Sequence, residues 1–476
     1  MLRKLLSHAA IYGLAAQIPR IAGVLALPII TPHLTTTDYG VAGVVTAYVT
    51  ALGVVQSLGL SVVMANAYVK HPTRYKWVWR QLHGFFILWS VVYNAVLAAV
   101  LFLGIPAEAV EDRWEIIILQ VVPAFFLNHT IFFGGFLYRI QQRPFPVAVQ
   151  SFVVGALTIG LNIYFIACLQ LGYMGWFYSG FIGGCASFTI YVYPVYWQEK
   201  LWPILNFKWY RLKSSLRVSL PSIPHHLSVF LLDVSDRLVM DVLRVPVQRI
   251  GLYNIASSFG LYFSAASYAV VQAASPMYMQ IYASTAAYDS QLKIRRVTFT
   301  LQGLFLVTTS LLSLWMKEIF QLLIKNDVLQ QAYPLAIIIL MGYNYKPMHL
   351  VVESRLFYQE RTEQLWKISF VAGVGNVILN LLLIPLFGIE AAAFTTFVSL
   401  MYTGYSGFLL KSFKQSQLIN FYPVVSLALT VALLLGIYFI ADRGILFKVM
   451  ISIVVLVAGV IFFVLINKKR CKVNTQ

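Results

Sequence analysis

Charge is what this chain has least of. Only 11% of its 476 residues are Asp, Glu, Lys or Arg, against 59% hydrophobic. A soluble chain coats itself with roughly a quarter charged residues, so a water-soluble enzyme or binding domain is excluded. Acids are the scarcer sign, 17 against 35 Lys and Arg. Cysteine is almost missing. Cys168, Cys185 and Cys471 are odd in number and scattered, and two lie in apolar helices, so neither a disulfide framework nor a metal site is expected. No secretory cleavage site follows MLRKLLSH, which reads as a cytoplasmic lead into a first membrane span. A nucleotide-binding loop, a metal cluster and a nucleophile–base pair are all lacking. The chain is therefore expected to work without a cofactor and not as an enzyme.

What is present is a series of apolar windows, each about 20 residues and long enough to span. They fall near 10–31, 41–65, 84–105, 115–137, 145–168, 173–195, 218–242, 251–274, 297–315, 332–352, 367–387, 390–410, 421–440 and 446–467. About fourteen spans place both termini on one side. The basic loops around Lys70–Arg80, Arg139/Arg143, Lys200–Arg217, Lys293–Arg296, Arg355–Lys367 and Lys411/Lys414 fall on that side too, as cytoplasmic loops do. The opposite loops are short and hold Glu108, Glu111, Asp112 and Glu115. The net charge of +18 is thus a topology signal, and nucleic acid is not an expected partner.

Internal repeats divide the chain. Ser151–Asn162 (SFVVGALTIGLN) and Ser369–Asn380 (SFVAGVGNVILN) match in register 218 positions apart. Asp38-Tyr39-Gly40 and Arg249-Ile250-Gly251 form a weaker match at 211. These offsets relate two six-helix halves of the same orientation, through an axis near the membrane normal. The expected organisation is an N-terminal lobe over 1–195, a basic, aromatic linker over 196–217, a second lobe over 218–410, and two further helices with a basic tail over 411–476. Within the second lobe, Leu220–Asn254 combines an apolar span with Pro221, Pro224, His225, His226, Asp233, Asp236 and Arg237. On one helix, Ser222, His226, Asp233 and Arg237 share a face, and ionisable groups at that depth should face protein or water.

The chain resembles the bacterial polysaccharide transporters, the O-antigen (Wzx-type) flippases of the multidrug/oligosaccharidyl-lipid/polysaccharide (MOP, MATE-like) exporter superfamily. The resemblance rests on LPIITPHLTTTDYG after the first helix, LPSIPHHLSVFLLDVSDR with RIGLYNIA in the seventh and eighth, and NVILNLLLIPLFGIEAAAFTT in the eleventh and twelfth. It runs in order through helices one to twelve. It implies an all-α polytopic membrane protein, two pseudo-symmetric six-helix lobes around a central cavity that opens alternately to each face. It further implies transfer of an oligosaccharide repeat unit on undecaprenyl pyrophosphate across the bacterial inner membrane, for O-antigen, capsule or exopolysaccharide. Membrane lipid and other polysaccharide-assembly proteins are the implied further partners.

A pyrophosphate headgroup asks for cations and polar groups at membrane depth. Arg20, after Pro19 in the first helix, carries a planar fork suited to phosphate; a structural ion pair is its alternative. Arg237 adjoins Asp236 and lies a turn from Asp233, so a local acid–base pair is the alternative there. His226 could meet phosphate and respond to pH. Lys346, before Pro347, either faces substrate or snorkels to the interface. Glu353 lies seven residues on, on the same face and near the helix mouth. Gln17 and Asn128 are neutral polar candidates, like Gln56, His129, Asn376 and Asn380, whose default role is interhelical hydrogen bonding. Asp233, Asp236 and Glu353 are the coupling or ion-pair candidates. Two other functions remain open: a MATE-like cation-coupled drug exporter, which would want acids in its cavity, and a membrane glycan polymerase or ligase, which would want a long outer loop.

Overall fold

The computed structural model describes residues 22–206, 209–284, 287–361 and 363–468. Among these, every regular element is a helix. Hydrocarbon offers no partner for a free N–H or C=O, and a helix satisfies both within itself. Among the described residues, eight helices are long and apolar enough to cross a membrane, or nine if a bent pair is one span. The remaining expected spans correspond to Ala22–His33, 174–198, 223–242, Val247–Ser284 and 389–409. These are shorter, interrupted or richer in Gly, Ser and Tyr. The chain is an all-α polytopic membrane protein.

The chain forms two compact units, Met1–Gly251 and Leu252–Gln476. Their limit lies inside Val247–Ser284, beyond the end of the linker read from the sequence. In the first unit, Ile223–Asp233 and Ser235–Val242 pack against Thr36–Gln56. The unit has two apolar cores. One gathers Val41, Val45, Leu97, Leu101, Ile116 and Phe177. The other surrounds Trp79, Phe86, Phe133, Leu137 and Leu201, and Trp79 Nε1 donates to the Met64 carbonyl at 3.0 Å.

The weaker of the two sequence repeats proves geometrically reciprocal. Helices begin at Thr36 and at Val247, 211 positions apart. A Cβ added at Gly40 would lie 2.1 Å from the Val247 oxygen, and one at Gly251 would lie 1.8 Å from the Thr36 oxygen. Residue 36 corresponds to 247 and 40 to 251, so each contact is the image of the other. Only glycine permits backbones to cross this closely.

In the second unit, Glu363–Phe387 lies along Ile389–Tyr405. Asn380 Nδ2 donates to Asn376 Oδ1 at 2.9 Å, and Thr395 Oγ1 donates to Asn380 Oδ1. The repeat-related Asn162 behaves differently, for among the described residues its buried Oδ1 has no hydrogen-bond donor. The two added helices, Pro423–Ile440 and Ile445–Lys468, are docked to this unit. Both pack on Ala287–Leu314. Lys448 is fully buried, with its ammonium 2.6 and 2.8 Å from the Glu318 carboxylate oxygens and 6.0 Å from the centre of the Trp315 ring. In the turn between them, Lys317 and the Tyr333 hydroxyl bond Asp442 at 2.7 and 2.6 Å, holding that carboxyl below the usual carboxylate range.

Two expectations about this fold can be checked by thermal unfolding of the purified protein. Gly40→Ala or Gly251→Ala should lower stability by about 1–3 kcal/mol through overpacking. Gly160→Ala, where a Cβ meets nothing within 4 Å, should not. Equal midpoints for all three would contradict the crossing. Glu318→Gln should cost about 3–5 kcal/mol by stranding a buried lysine, and adding Lys448→Met should recover most of it. A mild single variant would show that the pair carries little.

Candidate functional site

The polar groups that sequence reasoning singled out gather at breaks in helices. In the first unit the stretch expected to be one helix is divided. Leu220–Ser222 is a tight 3-10 turn, Ile223–Asp233 an α-helix, and a second helix starts at Ser235. Val234 between them has φ −136° and ψ −21°. The stretch is therefore not one helix, and the face expected to run from His226 through Asp233 to Arg237 is interrupted at Val234. The break also frees carbonyls, and Arg237 Nη1 donates to the main-chain oxygen of Asp233 at 3.3 Å. Asp236 and Arg237 are 2% and 4% exposed, Asp233 is half-buried and His226 is exposed. One turn further, Asp241 accepts a 2.6 Å hydrogen bond from the Tyr48 hydroxyl.

A second break bends Arg113–Phe126 by 49° against Asn128–Ile140. Pro123 lies in the first segment, where it removes a helical donor. Asn128 starts the second segment and is half-buried. Gln56 closes the helix Thr36–Gln56, its buried Nε2 lacking an acceptor among the described residues. Gln17 and Arg20 lie outside the described residues.

The third break, in the second unit, builds the most developed polar site. The helix Tyr333–Gly342 gives way to a 3-10 turn at Tyr343–Tyr345, and α-helix resumes at Lys346. Pro347 sits in the first turn of the new helix, where its missing N–H is no loss. Asn344, fully buried, pins the turn. Its Nδ2 donates to Thr309 Oγ1 at 2.8 Å and to the Met341 carbonyl at 3.1 Å, while its own carbonyl accepts from Gln302 at 3.2 Å.

This fixed turn presents the Lys346 ammonium to Val247–Ser284. Its Nζ donates to the Ser264 carbonyl at 2.8 Å, Ser264 Oγ at 3.0 Å and Ser267 Oγ at 2.7 Å. It also stands 5.2 Å from the centre of the Tyr343 ring. The side chain is half-buried. These bonds engage all three ammonium N–H groups, and the Ser267 hydroxyl itself donates to the Ser264 carbonyl at 2.8 Å, so the arrangement fixes a positive charge at one place in its unit. One turn on, His349 Nδ1 lies 3.1 Å from the Thr403 carbonyl. Glu353 is half-buried and makes no hydrogen bond or ion pair among the described residues, so it does not neutralise Lys346.

Ser264, Ser267, Tyr48 and Asp241 were not legible beforehand. Ser264 and Ser267 are spaced for one helix face, yet the same helix carries several other serines. Nothing local distinguishes the pair that meets a lysine some 80 positions away. A double-mutant cycle on Tyr48→Phe and Asp241→Asn, read by thermal unfolding, should give a coupling of about 1 kcal/mol. Additive single effects would remove this contact.

No protein-family model matches the chain, and no curated protein matches it in sequence. Solved structures do match in fold. A lipid II flippase, MurJ, in an inward closed conformation aligns over 98% of this chain and 99% of its own, with TM-score 0.67 and 12% identity. An inward-facing multidrug resistance MATE family transporter of the MOP superfamily aligns over 89% and 98%, with TM-score 0.65 and 15% identity. A MOP superfamily transporter from Pyrococcus furiosus, described by a reversed polarity of its binding pocket that suggests a different function, aligns over 90% and 95%, with TM-score 0.51 and 16% identity. The fold is therefore that of MOP-superfamily polytopic transporters with two lobes, and these neighbours are transporters or flippases.

Proposed function

We propose that this protein is a flippase for an anionic lipid-linked oligosaccharide, a repeat unit on undecaprenyl pyrophosphate. It moves the headgroup across the bacterial inner membrane by alternating access and feeds O-antigen, capsule or exopolysaccharide assembly. Both termini are cytoplasmic in this reading. The observation that carries it is the Lys346 site, an ammonium fixed by two serine hydroxyls and a carbonyl within the apolar stretch Asp327–Tyr358. A positive charge fixed inside such a stretch is the sign that an anionic headgroup calls for. The full-length likeness to a lipid II flippase supports the same class.

Arg20, Arg237, His226, Gln17 and Asn128 complete the proposed substrate-facing set, with Asp233, Asp236 and Glu353 as coupling groups. The breaks at Leu127, Val234 and 343–345 serve as hinges, since interrupted helices concentrate bending where backbone bonds are already open. A drug exporter is the second reading, favoured by the MATE likeness. It differs in the sign of the charge the cavity should welcome.

The two readings separate in vesicles. Protein in proteoliposomes should reorient a fluorescent undecaprenyl-pyrophosphate oligosaccharide between leaflets. Lys346→Ala should slow this about 10- to 100-fold, the loss of one charge-assisted contact set, and Lys346→Arg should retain part of it. In cells, Arg20→Ala should abolish export of the surface glycan at unchanged protein level. Transport of an organic cation with no movement of the lipid would overturn the proposal in favour of the exporter.

A further inference from the structure

One buried cluster in the first unit has no part in the site above. The segment 199–206, which follows the helical stretch Tyr193–Gln198, is strapped along the start of Tyr75–Gly104. Lys76 pairs with Glu199 at 2.8 Å, and Gln141 also donates to Glu199 at 3.0 Å. Arg80 Nε donates to the Trp202 carbonyl at 2.9 Å, and the Ile204 N–H donates to the Arg80 carbonyl at 3.0 Å. Gly84 admits the strap backbone, since a Cβ there would lie 2.1 Å from the Ile204 oxygen.

Beneath the strap lies His83, fully buried. Its Nδ1 stands 3.0 Å from the Leu201 carbonyl, so that nitrogen carries the hydrogen in the neutral ring. Its Nε2 faces the Tyr196 hydroxyl at 3.4 Å, and that hydroxyl is 2.9 Å from Thr130 Oγ1. The His83 ring stacks on Phe133 at 4.5 Å and lies 5.3 Å from the ring of His129. His129, half-buried, has its Nδ1 3.3 Å from the Phe125 carbonyl.

We propose that His83 and His129 form a proton-binding site whose occupancy releases the strap 199–206 from the helix Tyr75–Gly104. A proton from water adds to the Nε2 lone pair of His83, giving an imidazolium that keeps its Nδ1–H. Two rings this close hold a single added charge between them. That charge is costly in a closed apolar pocket and cheap in water. The strap is what closes the pocket, for Leu201 is itself fully buried over the ring. Proton uptake therefore favours the lifted strap, as any ligand favours the state that binds it better.

The other charged and titratable groups around the pair are accounted for. Lys76 and Glu199 hold each other, and Arg80 is bound to the strap. Arg139 donates to the Gly135 carbonyl at 3.0 Å. Tyr68 and Tyr75 stack on each other and on Trp79. Lys200, Lys213 and Arg217 are exposed. Acting through a proton and the segment that joins the repeats, the pair is independent of which substrate the protein carries.

The second unit supplies an internal control. Its segment 416–420 is strapped to the equivalent helix, Ala287–Leu314, by Gln291, which bonds Ser416, Leu418 and Ile419 at 2.8 to 3.2 Å, and by Arg295 to the Asn420 carbonyl at 3.3 Å. Arg295 lies 215 positions after Arg80 and Asn420 lies 216 after Ile204. Among the described residues, the bonds of this second strap involve no histidine.

Backbone hydrogen–deuterium exchange of the full chain in nanodiscs tests the proposal, with 199–206 expressed relative to 416–420. Lowering pH from about 7.5 to about 5.5 should raise that ratio about tenfold, with one proton linked and a midpoint near the imidazole range. His83→Asn, whose amide keeps the Leu201 bond but binds no proton, should stay protected and flat. A flat wild-type ratio overturns the proposal, as does a His83→Asn protein that still responds to pH. Should that variant lose protection at both pH values, imidazole C2–deuterium exchange in the unmodified protein decides. His83 or His129 titrating with the strap midpoint sustains the site, and neither doing so overturns it.

Discussion

A polar group in hydrocarbon must find its partner inside the protein, and this one constraint explains most of the arrangement. Lys448 is held by Glu318, Asn380 by Asn376 and Thr395, and Asn344 by Thr309 and Gln302. Lys448–Glu318, Asn344–Thr309 and Asn380–Thr395 each join two helices, so satisfying a side chain and assembling the unit are there the same event. Lys346 is held by the Ser264 carbonyl and by the hydroxyls of Ser264 and Ser267, which fix the ammonium in place.

The constraint also fixes where the chain bends. A broken helix leaves backbone groups open, and the breaks here are filled by the polar residues that look most functional. Arg237 takes a carbonyl at Val234, and Asn344 pins the turn that positions Lys346. Groups that repair a break also sense its geometry. Motion at these points would alter the site directly, which is the behaviour a transporter with two alternating states needs.

Fold class was legible because it depends on long runs of apolar residues, and eight helices among the described residues, or nine with the bent pair, are long and apolar enough to span. The weaker repeat was legible too, and the reciprocal approach of Gly40 and Gly251 gives it physical meaning. The site was only half legible. Lys346, Asp236 and Arg237 stand out as charges in apolar surroundings, whereas Ser264 and Ser267 look like ordinary small residues. The face through Leu220–Asn254 was misjudged because Val234 breaks the helix without a Gly or Pro to announce it. The stronger repeat is not matched in hydrogen bonding: Thr395 donates to Asn380 Oδ1, whereas among the described residues the buried Asn162 Oδ1 has no donor.

The sign of the fixed charge is what separates an anionic lipid-linked substrate from an organic cation. The most direct test of the central claim is native mass spectrometry of the protein extracted from its own membrane in mild detergent. The account predicts a bound adduct with the mass of a polyprenyl-pyrophosphate-linked glycan, diminished in Lys346→Ala. Absence of that adduct, with retention of organic cations instead, would contradict it.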